Sequence, residues 1–208
     1  MAEYVLHCDA ISGNCYKAAL MLAVAGCDWR PQFVDYMAGG TRTDAYKAGL
    51  NEMGEMPVLE HGGTRLSQSG VILTYLAERT GRFGGDSPTQ KLEILRWMLF
   101  DNHKFTSYYA TLRFFYGIQK TGETPVTEFL RGRALAAYGI VDKHLADRPF
   151  LIGAQPTIAD FSLAGYVYYP EDTGIDRAKF ANIEAWKKRI AALPGWKPPY
   201  ELLPRKAA

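Results

Sequence analysis

Along the first eighty residues, apolar positions come in short runs set between polar turns; beyond residue 90 they recur every three or four positions. Tyr4–Cys8, "YVLHC", predicts a buried strand, and the apolar stretch from Asn14 to Ala25 predicts a helix stopped by Gly26. Gln32–Tyr36, "QFVDY", predicts a second strand, completing a strand-helix-strand unit that favours parallel pairing. After the loop "MAGGTRT" and a short helical stretch near "TDAYKAGL", the segment "PVLEHGGTRLS" predicts a hairpin turning at Gly62-Gly63. Pro57 has no N–H to give to a ladder and belongs at the start of that strand. In "QSGVILTYLAERTG", Val71, Leu73, Leu76 and Ala77 are placed for a helix packing on the sheet, ended by Gly81.

The glycine-rich stretch 81–89 reads as a linker. Beyond it the pattern is helical. Leu92, Leu95, Leu99, His103 and Thr106 share one face of a long segment; Leu130, Ala134, Ala137, Val141 and Leu145 share one face of another. Ile183, Trp186, Ile190 and Leu193 mark a last helix, stopped by Pro194 and Gly195. The expected organisation is an α/β domain over 1–80 with a mixed sheet, the linker, and an all-α domain over 90–208.

Composition narrows the function classes. Hydrophobic residues make up 48% and charged residues 22%, and the net charge of +2 comes from 24 basic and 22 acidic residues spread along the chain. That spread leaves no basic stripe for a nucleic acid or an anionic membrane. No run of about 18 apolar residues is present to span a bilayer. Three cysteines, Cys8, Cys15 and Cys27, are few and odd in number, which points to reduced thiols and a cytoplasmic setting, not a disulfide scaffold. No metal-ligand spacing and no phosphate-binding glycine loop occur.

Chemistry concentrates at three places. "ISGNCYK" puts a hydroxyl (Ser12), a carboxamide (Asn14) and a thiol (Cys15) at a strand-to-helix junction. Ser12 or Asn14 can cap the helix, and a hydroxyl there also faces free N–H groups and the positive end of the helix dipole, where a thiolate is stabilised. Cys15 is either such a thiolate or a small apolar residue of the first turn. In "EMPVL", the backbone N–H and C=O of Met56 turn outward for an extended peptide if the Met56–Pro57 bond is cis, and Gln68-Ser69 opens a second helix, with Ser69 either as its cap or as part of an N-terminus aimed at a carboxylate. Thr157 and Asp160 in "PTIAD" form a capping-box pattern that sets a buried helix. The aromatics of "FDNHKFTSYYATLRFFY" (100–116) read mostly as core, with His103 and Arg113 as either structural or cleft-lining residues.

The ordered set "SGNCYKAALML", "NEMGEMPVLEHGG", "QSGVILTYLAE" and "PTIADFSL" resembles the cytosolic glutathione S-transferase superfamily over nearly the whole chain. The resemblance implies a thioredoxin-like first domain with a mixed four-stranded sheet, an all-α second domain, a homodimer, a cytoplasmic role in detoxification, and glutathione as co-substrate without a metal. Carried onto this sequence, Ser12 falls where serine-type members keep the hydroxyl that bonds the glutathione sulfur, and Asn14 where some bacterial members use an asparagine. Cys15 takes the resolving position of a CxxC whose nucleophilic position is Ser12, and reads as structural or regulatory. Met56, with Pro57 cis, is implied to pair with the cysteinyl group, and Gln68 and Ser69 to hold the γ-glutamyl end, Gln68 standing where many members have Glu. Asp101 is implied to reach the ammonium across a dimer interface, and Thr41, Arg42 or Lys47 to hold the glycyl carboxylate. His103, Thr106, Tyr109 and Arg113, with Tyr168 or Tyr169, are implied to line a hydrophobic co-substrate site between the domains. The partner of glutathione is then an apolar electrophile or, in a disulfide reductase or peroxidase, a disulfide or peroxide; a binding protein that kept the fold without the chemistry is a third reading.

Overall fold

The computed structural model of the protein describes residues 2–205. The chain divides into two compact units: residues up to Arg82 together with the segment from Leu193, and Phe83–Ala192.

In the first unit, strands β1 (Tyr4–Cys8), β2 (Trp29–Phe33), β3 (Val58–His61) and β4 (Thr64–Ser67) form one mixed sheet in the order β2-β1-β3-β4. β1 runs parallel to β2 and antiparallel to β3, and β3 and β4 make the expected hairpin. Both turn residues, Gly62 and Gly63, have positive φ (54° and 81°), the backbone a tight two-residue hairpin turn demands. The second strand lies three residues earlier than expected: Trp29–Phe33 pairs in parallel register with Tyr4–Cys8. Pro31 is tolerated inside it because β2 is an edge strand.

Helix α1 (Gly13–Ala25) starts at Ser12, whose side chain accepts from the Cys15 N–H, and ends at Gly26, whose left-handed backbone returns its N–H to the last turn. Nearly all of it is buried, so one sheet face does not suffice to cover it. The segment from Leu193 supplies the rest, which is why it leaves the helical half with which the sequence pattern grouped it. The Tyr16 hydroxyl donates to the Lys197 carbonyl (2.8 Å) and the Ala10 N–H to the Pro204 carbonyl (2.9 Å). Gly195 lies so close to α1 that an added Cβ would stand 2.5 Å from the Ala23 carbonyl oxygen. After the short α2 (Asp44–Gly49), helix α3 (Ser69–Thr80) packs on α1 through Ile72, Leu73, Leu76 and Ala77; Val71, expected inward, is turned out.

The second unit is helical. From Pro88 to Ile118 the chain is continuously helical: α4 (Pro88–Phe100), a π-helical segment at Asp101–Phe105, α5 (Thr106–Leu112) and a second π segment at Arg113–Ile118. The face that Leu92, Leu95, Leu99, His103 and Thr106 share turns inward only at Thr106. Leu92, Leu95 and Leu99 are 68%, 51% and 60% exposed, and Ile94, Trp97 and Met98 are buried instead. The helix carries two apolar faces, and the π segment, by widening the turn, shifts the register between its two halves. Helices α6 (Pro125–His144) and α8 (Ala181–Ala191) bury the expected Leu130, Ala134, Ala137, Val141 and Ile183, Trp186, Ile190. Helix α7 (Ile158–Leu163) is buried throughout and organised by Asp160. That carboxylate accepts from the Leu151 N–H (2.9 Å), the Thr157 N–H (2.8 Å) and the Trp186 indole N–H (2.9 Å). Among the described residues no helix is long and apolar enough to cross a membrane.

Candidate active site

The chemistry-bearing residues of the first unit gather at the N-termini of α1 and α3. Asp9 shapes the entry to α1: its carboxylate accepts from the Ile11 N–H (3.1 Å) and the Tyr36 N–H (3.2 Å), and its carbonyl from the Ser12 N–H (3.1 Å). Ser12 is thereby held half-buried with its Oγ 3.3 Å from the Cys15 N. Accepting that bond uses one lone pair of the hydroxyl and leaves its proton available as a donor, which the neighbouring Cys15 sulfur also draws on.

Cys15 is fully buried, and burial pushes its thiol up to about 12 against the opposing hydrogen bonds from Ser12 and the Asp9 backbone. Burial likewise raises the thiol of Cys8. A thiol that stays protonated at neutral pH is neither a nucleophile nor a metal ligand. Of the two sequence readings of Cys15, the small buried residue of the first helical turn is the one seen.

Asn14 joins the two helix starts: the Ser69 hydroxyl donates to its Oδ1 at 3.5 Å. Gln68, just before α3, has a positive φ of 67° that side chains rarely adopt. Such an outlier persists only where the surroundings hold it, and such residues cluster at ligand sites. Its amide nitrogen donates to Glu55 Oε2 (2.8 Å) and contacts Met53 Sδ (3.4 Å).

The Met56–Pro57 bond is cis, and β3 begins one residue later, at Val58. The loop before it is stapled from behind. Tyr46 Oη and Asn51 Nδ2 both donate to the Glu55 carbonyl (2.8 and 2.9 Å), and Asn51 Oδ1 accepts from the Met53 N–H (3.1 Å). Of the three residues expected to hold a second carboxylate, Thr41 is buried in a short 3-10 turn and offers no surface hydroxyl, whereas Arg42 and Lys47 are exposed. The Lys47 stem lies against Gly54, where an added Cβ would meet its Cε at 3.2 Å.

The candidates of the second unit are mostly interior. Asp101 is fully buried, its oxygens accepting from the hydroxyls of Thr106 and Ser162 (2.6 Å each). It is therefore not the outward-reaching carboxylate the resemblance implies. Tyr109 is buried in a ring stack with Tyr138 (5.4 Å between centres), which in turn stacks on Phe105 (4.7 Å). Arg113 is buried as well, its Nε 2.8 Å from Glu171 Oε2 and its guanidinium 3.9 Å from the centre of the Tyr169 ring. The Tyr168 hydroxyl donates to the Lys187 carbonyl (2.7 Å). Only His103 of the four co-substrate candidates is exposed. Packing explains the difference: the π segments at 101–105 and 113–118 turn Thr106, Tyr109 and Arg113 into the unit's own core.

Sequence reasoning missed Asp9, Tyr46, Asn51 and Glu55. Asp9 and Asn51 carry a local signal, being turn-forming residues beside a helix start and a cis-proline loop; a lone surface Glu carries none. Among the described residues no group of three or more His, Cys, Asp or Glu could hold a metal ion.

Residues 9–78 match the family model of the glutathione S-transferase N-terminal domain, and residues 107–194 that of the glutathione S-transferase C-terminal domain. The chain is 30% identical over 207 residues to a glutathione S-transferase of Arabidopsis thaliana, covering 92% of this chain and 80% of that protein. It is 29% identical over 199 residues to a disulfide-bond oxidoreductase of Escherichia coli, covering 87% of each. The crystal structure of a glutathione S-transferase from Pseudomonas fluorescens superimposes with a TM-score of 0.90 at 32% identity, covering 96% of this chain and all of the other.

Proposed function

Because this chain belongs to the glutathione S-transferase family, we propose that its first unit binds glutathione and presents the thiolate to an electrophilic, largely apolar co-substrate. The observation that carries this reading is the Ser12 hydroxyl at the start of α1. It is anchored through a lone pair, keeps its proton, and sits beside a cysteine too buried to ionise. In this reading the reactive sulfur is supplied by the ligand. A thiol titrates near ~8.5, and lowering it by about 2 units takes ~2.7 kcal/mol of preference for the charged form. One hydrogen bond to a charged acceptor supplies roughly 1.5–3 kcal/mol, and the helix N-terminus about 0.3–1 kcal/mol more. Ser12 stays protonated and donates; the sulfur lone pair forms the new bond to the electrophilic carbon, and the leaving group departs with its electron pair.

In this reading Met56 pairs its backbone with the cysteinyl group, the Gln68–Ser69 end of α3 receives the γ-glutamyl group, and Lys47 or Arg42 takes the glycyl carboxylate. Lys47 is the better placed, its stem lying along the loop that leads to Met56. A second reading, glutathione-dependent disulfide or peroxide reduction, is favoured by the likeness to the Escherichia coli disulfide-bond oxidoreductase and by Asn14 two residues after Ser12. The two readings separate by steady-state turnover of glutathione with an activated aryl chloride, an organic hydroperoxide and a dialkyl disulfide. Turnover of the aryl chloride supports the transferase; turnover confined to the other two supports the reductase; none with any supports a binding protein.

The protein is also proposed to pair with a second copy through the Leu92, Leu95 and Leu99 stripe of α4. Three leucines exposed on one helix face form the kind of patch that marks an interface.

A further inference from the structure

We propose that Glu55 is the anionic partner of the glutathione α-ammonium group, supplying the charge that Gln68 lacks. This rests on the reading that the start of α3 receives the γ-glutamyl end.

An α-amino acid end group carries one anion and one cation. The N-terminus of α3, with the Ser69 hydroxyl, suits the carboxylate. The ammonium offers three donors and a positive charge, and a neutral amide at position 68 answers with a single acceptor oxygen. The other carboxylate the resemblance offers, Asp101, is buried and hydrogen-bonded to Thr106 and Ser162.

Glu55 fits what is missing. Its Oε2 accepts from the Gln68 amide nitrogen at 2.8 Å, so a full negative charge stands directly beside the amide. That bond, with the contact to Met53 Sδ, fixes which way the amide lies: the nitrogen is engaged and Oε1 is left to accept. The ammonium then has Gln68 Oε1 as one acceptor and the neighbouring Glu55 carboxylate as its opposite charge. Among the described residues no Arg, Lys or His is paired with Glu55, so its charge is uncommitted. The backbone beneath is rigid, because Tyr46 and Asn51 both hold the Glu55 carbonyl. From the other side, the positive φ of Gln68 fixes the direction of the residue that meets it. Two segments distant in sequence thus present an amide and a carboxylate as one unit.

The test is calorimetric titration with glutathione and with its analogue lacking the α-amino group. Wild type is compared with Glu55→Gln and with the exchange variant Glu55→Gln/Gln68→Glu. Wild type should prefer glutathione. Because the pair is solvent-exposed, Glu55→Gln should weaken glutathione by about threefold to fivefold while leaving the analogue unchanged. The exchange variant, with its carboxylate moved across the contact, should recover the preference; a merely structural role for Glu55 would weaken both ligands alike and would not be rescued. An unchanged preference in Glu55→Gln, or a wild type that binds both ligands equally well, overturns the role of Glu55 while the glutathione site stands. A wild type that binds neither overturns both.

Discussion

Two residues separated by two positions do opposite things at the start of α1. Cys15 is a buried thiol that burial keeps protonated, and Ser12 is the hydroxyl proposed to stabilise a thiolate supplied by the ligand. Burial raises all three thiols, that of Cys15 to about 12, but Cys27 alone is only partly buried, so native protein at pH 8 should be alkylated first at Cys27. Mass mapping should find Cys8 and Cys15 labelled only after denaturation; rapid native labelling of Cys15 would contradict its buried, neutral state. At Gln68 the proposed ligand contact opposes stability. Its positive φ costs of order 1–3 kcal/mol in a side chain other than glycine, and glycine's extra unfolded-state freedom returns about 0.5–1 kcal/mol of that. Gln68→Gly should therefore raise stability by about 1 kcal/mol in urea unfolding while weakening glutathione, and a destabilised variant would show that the φ is not strained. Ser12, Gln68 and Ser69 were readable because hydroxyls and amides before an apolar run announce a helix start. Glu55 was not: its part comes from a contact across thirteen residues, and a single surface carboxylate has no periodicity to betray it.

Among the elements, those whose ends are chemically marked were legible. Gly26 and Gly81 end α1 and α3 in the left-handed conformation, and Gly62-Gly63 turns the β3–β4 hairpin. The second strand was displaced because "WRPQF" contains a proline and scores poorly as a strand; only its edge position makes that harmless. The segment from Leu193 was misgrouped for a related reason. A helix as apolar as α1 needs covering on more than one face, and nothing local says which distant segment provides the cover. Gly195 is where that cover is tightest. A methyl group there would stand 2.5 Å from the Ala23 carbonyl oxygen on a backbone of φ +85°. Gly195→Ala should cost about 2 kcal/mol or more in denaturant unfolding, since both strain and overpacking oppose it. A neutral substitution would mean that the segment is not seated on α1.

For the whole molecule, the largest departure from the sequence pattern is the leucine face of α4. Helical periodicity finds apolar faces but does not say which of two turns inward, and here Ile94, Trp97 and Met98 took the interior. What remains outside is the stripe proposed to pair with a second copy. Leu95→Glu should then yield a monomer in sedimentation velocity under conditions where the unaltered protein is a dimer. A wild type that sediments as a monomer, or a variant that still dimerises, would reject the stripe as the interface.

The proposed role of the Ser12 hydroxyl is to stabilise a thiolate supplied by the ligand. The most direct measurement is a pH titration of thiolate absorbance for glutathione bound to wild type, to Ser12→Ala and to Ser12→Thr. The bound thiol should titrate about 2 units below the free one in wild type, shift up by about 1–2 units in Ser12→Ala, and stay near wild type in Ser12→Thr, which keeps both hydroxyl and cap. A bound thiol as acidic in Ser12→Ala as in wild type would contradict it and pass the role to Asn14.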